Sequence, residues 1–236
     1  MGVKFKEHDS VLELPKLVEG INTKNQKKSE STFRNKLYQE IVNFVVKQPE
    51  DKRMNLLEEL RLMMHDKEAS QGRLFTEFRN ETMEEGLTRN KDNSRTLNQD
   101  GIDNKRRNAD DVITVDKELK EEGSDAIKEG SPPMGNYLVE DKAGDSFTTK
   151  SSEQQLENYQ KHLAKGDKIE TKIDNEKRIA GTYDGVIYFF DSENSALNAM
   201  DKIQNMHPKI YVGYYNEKAQ LTWMPRSTKK SNNLDK

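Results

Sequence analysis

Glu140 and Lys142 stand two residues apart where an apolar run ends, inside Asn136–Leu163, NYLVEDKAGDSFTTKSSEQQLENYQKHL. The stretch reads as a short strand, a polar turn and an amphipathic helix. Side chains at i and i+2 of a strand share a face, so this spacing sets a carboxylate beside an ammonium, with Leu138 in the same row. Bringing such a pair to the edge of a core costs desolvation that some interaction must offset. A divalent cation held by the carboxylate oxygen and a scissile phosphate facing the ammonium are the chemistry that fits.

Composition narrows the alternatives. Of 236 residues, 32% are hydrophobic and 34% charged, so the core cannot extend through the whole length and polar loops are expected. A formal net charge of −3 argues against a uniformly basic coat for nucleic-acid binding but leaves room for a local basic groove. With no cysteine in the chain, disulfides, thiolate zinc sites and thiol nucleophiles are excluded. No run approaches the roughly 18 apolar residues of a membrane span. The opening MGVKFKEHDSV lacks the apolar core of a signal peptide, and Lys6 stands where myristoylation wants Ser or Thr. A soluble protein is expected.

The elements that must position Glu140 and Lys142 follow from periodicity. A helix is predicted from about Ser31, with Phe33, Leu37, Ile41, Phe44 and Val45 on one face and Pro49 as its stop. A second, with Met54, Leu57, Leu60 and Met64 in register, completes an αα-hairpin. A third, about Gln71–Gly86, carries Leu74, Phe78 and Met83 among Glu77, Glu81, Glu84 and Glu85, and Gly86 suits the position after its end. TRNKDNSRTLNQDGIDNKRRN reads as a loop or weak hairpin. Asp111–Val115 reads as a strand led in by Asp110 and Asp111, and the charged stretch Asp116–Gly135 as an exposed excursion. Val186–Phe190 is a continuous apolar strand of the kind covered on both faces. Asp191 or Ser192 caps a helix with a Leu197, Met200 and Ile203 stripe, and strands at Ile210–Tyr215 and Ala219–Trp223 complete a βαβ unit with a hairpin strand. Tyr211, Tyr214, Tyr215 and Trp223 fit half-buried sheet positions better than base-stacking ones.

Other catalytic patterns are absent. His8, His65, His162 and His207 show no HExxH spacing, and no phosphate-binding GxxxxGK[ST] or GxGxxG occurs. Ser146, Ser151 and Ser152 sit in no nucleophile elbow.

Read in order, Glu77 lies on a helix, Asp110 or Asp111 opens a strand, Glu140 and Lys142 end the next, and Gln155 opens a helix. This E…D…ExK…Q series on an α–β–β–α–β order resembles the PD-(D/E)xK nuclease superfamily, the restriction-endonuclease-like fold, over about Gln71–Phe190. VEDKAG is similar to the strand-end ExK followed by a small residue, and QQLENY to the downstream Gln-x-x-x-Tyr helix, here Gln155 and Tyr159. Lys105, Arg106 and Arg107 resemble the basic residues that often precede the motif aspartate. The chain departs from the pattern in having Ala109 rather than proline before the acids, a long excursion between Asp111 and Glu140, and no evident strand ahead of the motif aspartate.

The resemblance implies an α/β protein. Residues 1–68 would form an N-terminal extended and helical segment, and 69–225 a restriction-endonuclease-like core, a mixed sheet flanked by helices, with a C-terminal βαβ-hairpin extension. Residues 226–236 would be a disordered tail. It implies phosphodiester hydrolysis of nucleic acid, DNA before RNA, dependent on Mg²⁺ or Mn²⁺. Asp111, preferred over Asp110 because the apolar strand follows it directly, would bind metal with Glu140, the Asp141 carbonyl and Glu77. Lys142 would position or deprotonate the attacking water, and Gln155 would orient Lys142 or contact phosphate. Arg106, Arg107, Lys150, Tyr159 and Lys161 are the candidate nucleic-acid contacts. The setting implied is a bacterial toxin or effector, cytoplasmic or delivered into a target cell, with a cognate immunity or inhibitor protein as partner. A different class of function is a non-catalytic interaction module, using the helices and the aromatic C-terminal sheet, in which Glu140 and Lys142 pair in solvent.

Overall fold

The apolar run around Val186 becomes the centre of the sheet because neither of its faces can be left to water. The computed structural model describes residues 40, 41, 43–45, 47–49, 52, 75, 76, 78–98, 108–142, 150–202, 207–216 and 220–225, with backbone alone at 150, 151, 201 and 202. Its main sheet has six strands: β1 (Leu87–Arg89), β2 (Asp111–Val115), β3 (Gly135–Lys142), β6 (Gly185–Phe190), β7 (Ile210–Tyr215) and β8 (Leu221–Trp223), adjacent in that order. A separate pair, β4 (Ile169–Glu170) and β5 (Thr182–Tyr183), lies in the connection between β3 and β6. The sheet is mixed and strongly curled. β3, β6 and β7 run parallel in its centre, and β1, β2 and β8 pair antiparallel towards its edges. Helix α1 (Lys150–Gly166) lies in the connection from β3 to β6, and helix α2 (Glu193–Lys202) in the one from β6 to β7.

Strand alternation divides the core in two. Leu138, Val112, Val186, Tyr188, Phe190 and Val212 join Leu156, Tyr159 and Leu163 of α1 and Ala196 and Ala199 of α2 on one face. Ile113, Val115, Tyr137, Val139, Ile187, Phe189 and Tyr215 join Ile41, Val45, Phe75 and Phe78 on the other. The described N-terminal helical residues thus share a core with the sheet, and the Phe44 and Phe78 rings meet edge to face at 5.9 Å. All of Gly185–Phe190 is buried, as expected for a strand covered on both sides. Gly185 is required by close approach, since a Cβ there would lie 2.1 Å from the Lys209 carbonyl oxygen.

Several expected elements take a different form. A strand not evident ahead of Asp111 is present: Leu87–Arg89 pairs with Ile113–Val115. The helix expected to run to Gly86 ends at Glu81, and Gly86, with φ +98°, instead sits in the Glu84–Leu87 turn that leads into this strand. Three residues flanked by polar sequence carry too little alternation to be read as a strand. Helix α2 buries Ala196 and Ala199 and leaves Leu197 46% exposed, so its contact stripe is shifted from the one expected. Small residues there bring α2 close to the sheet. Ser192 caps it, its Oγ accepting the Ser195 backbone N–H at 3.2 Å. The excursion over 116–134 is anchored rather than wholly exposed, with Leu119 buried and a bridge from Lys120 to Ile127. Tyr214, Tyr215 and Trp223 are buried and Tyr211 is half-buried. The second predicted helix, apart from residue 52, and the tail at 226–236 lie outside the described residues. Among the described residues no helix is long and apolar enough to cross a membrane.

Candidate active site

Glu140 and Lys142 end β3 beside the carboxyl end of β6, paired in register with Tyr188 and Phe190. The mouth outside the carboxyl ends of parallel strands is where open α/β sheets place their ligands. Both side chains face α1, in the row of Leu138, as the i, i+2 spacing requires. Glu140 is fully buried, and the Lys142 side chain is 11% exposed. Lys142 Nζ donates to Glu140 Oε2 at 2.8 Å and to Gln155 Oε1 at 3.1 Å. Gln155 Nε2 donates to Glu140 Oε1 at 2.7 Å, and the Tyr159 hydroxyl donates to the same oxygen at 2.5 Å. Gln155 and Tyr159 are i and i+4 on α1, which puts both on the face that meets β3. Glu140 is thereby held by three donors from two elements, in an orientation that side-chain rotation alone cannot change.

The cluster's charge state follows from its surroundings. Burial works to lower the Lys142 ammonium's pKa, but Glu140 and then Asp110 outweigh it and raise it above the ordinary lysine value. Lys142 is therefore a fixed positive charge. Burial, and then Glu140, push the Tyr159 hydroxyl well above the ordinary tyrosine value, so it remains a donor. Lys142 Nζ also lies 5.9 Å from the centre of the Tyr188 ring.

The two acids that open β2 separate to opposite faces of the sheet. Asp110, not the expected Asp111, shares a face and an electrostatic field with Glu140 and Lys142. Its backbone N–H donates to the Val139 carbonyl at 2.9 Å, and its Oδ2 accepts the Asp141 backbone N–H at 2.8 Å. Asp110 keeps part of its surface open to solvent while most of its surroundings are protein. Burial first, and the neighbouring Glu140 second, raise its carboxyl from an ordinary 3.8 to about 8.

Asp111 instead joins a buried clasp on the opposite face. Arg79 is fully buried; its Nε donates to Asp141 Oδ1 at 2.7 Å and its Nη2 to Asp141 Oδ2 at 3.1 Å and Asp111 Oδ2 at 3.2 Å. Thr76 Oγ1 donates to Asp141 Oδ2 at 2.7 Å, and Arg89 Nε lies 2.8 Å from Asp111 Oδ2. The guanidinium packs 5.1 Å from the Phe189 ring centre. Burial opposes the charge on Arg79, but Asp141 and then Asp111 outweigh it and raise its pKa. Asp141 connects the two clusters, with its side chain on Arg79 and its backbone N–H on Asp110. Sequence reasoning passed over Arg79. The signal available was a charged residue at i+4 from Phe75, on a helix face otherwise apolar.

The remaining candidates divide by position. Glu77, Arg106 and Arg107 lie outside the described residues, as does the side chain of Lys150, whose backbone opens α1. Lys161 is on the outer side of α1, 57% exposed, and lies 3.9 Å from Glu157. Tyr159 is buried against Glu140 rather than presented to a ligand. Among the described residues no group of three or more acidic or histidine side chains is placed to hold a metal ion. Asp110 and Glu140 do supply two neighbouring carboxyl groups, and the Asp110 proton affinity, raised by burial and then by Glu140, is the strain a bound cation relieves. A larger cleft of about 620 Å³, lined by residues including Glu84, Glu121, Lys128 and Trp223, contains no member of the cluster. Comparison with protein-family models, with curated proteins and with solved structures gives no match to this chain.

Proposed function

We propose that the protein hydrolyses phosphodiester bonds of nucleic acid, DNA before RNA, with Mg²⁺ or Mn²⁺, at a PD-(D/E)xK-like site formed by Asp110, Glu140 and Lys142. The observation that carries this reading is the buried Glu140–Lys142–Gln155–Tyr159 cluster at the carboxyl end of β3, with the Asp110 carboxyl brought up against it. Burial of both Glu140 and Lys142 supports it over an interaction module in which the two pair in solvent.

Asp110 and Glu140, with the main-chain carbonyl of Asp141, would hold the cation, and Glu77 remains the sequence-level candidate for a further ligand. A divalent cation there would polarise the phosphoryl oxygen and lower the pKa of an attacking water. Lys142 is kept charged, so it acts by stabilising negative charge on the phosphorane oxygens rather than by taking a proton. Gln155 holds Lys142 and Glu140 at hydrogen-bond distance from each other, and Tyr159 fixes the Glu140 oxygen that Lys142 does not touch. The toxin or effector setting rests on the resemblance, in which an unrelated helical segment precedes such a core.

The test is nicking of supercoiled plasmid and cleavage of total RNA by purified protein with Mg²⁺, Mn²⁺ or chelator, alongside Glu140→Gln and Lys142→Ala. Cleavage that needs metal and falls by at least about 100-fold in both variants is expected, the scale of losing one preorganised transition-state contact. A folded wild-type protein that cuts neither substrate with either metal refutes the proposal, as does equal activity in wild type and variants.

A further inference from the structure

Beside Asp110 lies a cavity of about 320 Å³ lined by Arg95, Asn108, Asp174, Asn175, Glu176 and Arg178. It is created where residues 93–97 are bridged to the β4–β5 excursion, Asn93 to Ile179 and Leu97 to Thr171. Arg95 reaches the site directly, its Nη1 donating to the Asp110 carbonyl oxygen, while its buried Nε–H has no acceptor among the described residues. We infer that this cavity is an oxyanion subsite that seats a backbone phosphate of the nucleic acid next to the one being cleaved. The inference rests on the hydrolytic reading for its substrate, and on this cavity alone for the anion.

The charges facing the cavity support it. Arg95 is half-buried, and burial first and Arg178 second lower its pKa against the opposing pull of Asp111 and Asp110. The two carboxylates in the lining both pair with Arg178 and neither with Arg95. Asp174 Oδ1 accepts the backbone N–H groups of Glu176 and Arg178, both at 3.0 Å, so it closes the turn that carries Arg178. Its other oxygen lies 3.7 Å from Arg178 Nη1. Glu176 contacts Arg178 Nη2, but its side chain is 63% exposed, and so exposed an ion pair yields readily to a phosphate. Asn108 Oδ1 accepts the Thr96 hydroxyl at 2.9 Å, which leaves the Nδ2 amide as its donor. Two guanidiniums and an amide offer the planar, multidentate donors that phosphate oxygens take. This site differs from the surface cations singled out by sequence, since Arg95 and Arg178 are 83 residues apart and only the fold brings them together.

Arg178→Gln is the cleaner variant, because Arg95 also supports the Asp110 backbone. With chelator present, a fluorescein-labelled 16-nucleotide DNA duplex is titrated and followed by anisotropy at several salt concentrations. Arg178→Gln is expected to bind about tenfold more weakly and to lower the salt slope by about 1. In parallel, arginine Nε–H resonances are followed by NMR as inorganic phosphate is added, with a wild-type shift that Arg178→Gln abolishes. A wild-type protein that cleaves DNA while Arg178→Gln keeps its affinity and slope overturns the subsite and leaves the hydrolytic reading intact. A phosphate shift lost in the variant, in a protein that cleaves nothing, keeps the anion site and overturns that reading. Absence of any arginine shift overturns the subsite whatever the cleavage result.

Discussion

Replacing Asp110 by Asn should stabilise the protein near neutral pH while abolishing the proposed cleavage. The folded chain holds the Asp110 carboxyl at about 8, against an ordinary value of 3.8. Between those values the folded state keeps a proton that the unfolded chain has lost, so wild-type stability falls as pH rises from about 4 to about 8. Each unit of that interval corresponds to about 1.4 kcal/mol. Over pH 5–7 the full effect would be close to 3 kcal/mol, and the solvent access Asp110 retains reduces it, so about 1–3 kcal/mol is expected. Asparagine resembles the neutral acid, and its Oδ1 can still accept the Asp141 N–H, so the variant lacks this pH dependence. The assay is urea denaturation without metal at half-unit steps from pH 5 to 8, wild type against Asp110→Asn. The variant should gain on the wild type steadily as pH rises, and added Mg²⁺ should narrow the gap by favouring the wild-type carboxylate. A stability difference that stays flat with pH, or one in which the wild type gains, would show that Lys142 holds Asp110 ionised and would refute the crowding argument.

Three further outcomes follow from the same geometry. Arg79→Leu strands the Asp141 and Asp111 carboxylates in the core and should cost about 3–5 kcal/mol, measured as a drop in Tm; Arg79→Lys should recover only part of it. Tyr159→Phe removes one of three donors to Glu140, so a loss of about 1–2 kcal/mol in urea denaturation is expected, and the proposed metal-dependent cleavage should slow about tenfold. Gly185→Ala sets a methyl 2.1 Å from the Lys209 carbonyl and should destabilise by about 3 kcal/mol or more, read as a fall in the denaturation midpoint without a change in slope.

The sequence by itself determined the elements whose pattern is local. Asp111–Val115, Val186–Phe190 and Ile210–Tyr215 are strands because β-branched and aromatic runs of that length, bounded by turn residues, have no better solution, and the structure places strands there. The pairing of Glu140 with Lys142 was legible for the same reason, since a period of two needs no tertiary information. Gln155 and Tyr159 were singled out by the resemblance of QQLENY to a Gln-x-x-x-Tyr helix, and the structure turns Tyr159 onto Glu140 instead of toward a ligand. Tertiary structure decided which of two adjacent acids faces that cluster. Asp110 and Asp111 differ by one residue, and in a strand one residue means the opposite face, so the choice depended on the register between β2 and β3, with Asp111 opposite Val139. It also decided that Arg79 is buried rather than solvated, because a guanidinium can leave water only when two carboxylates from β2 and β3 await it. Arg95 and Arg178 belong to the same class. Their proximity comes from single bridges between distant loops, and no periodicity within either segment records it.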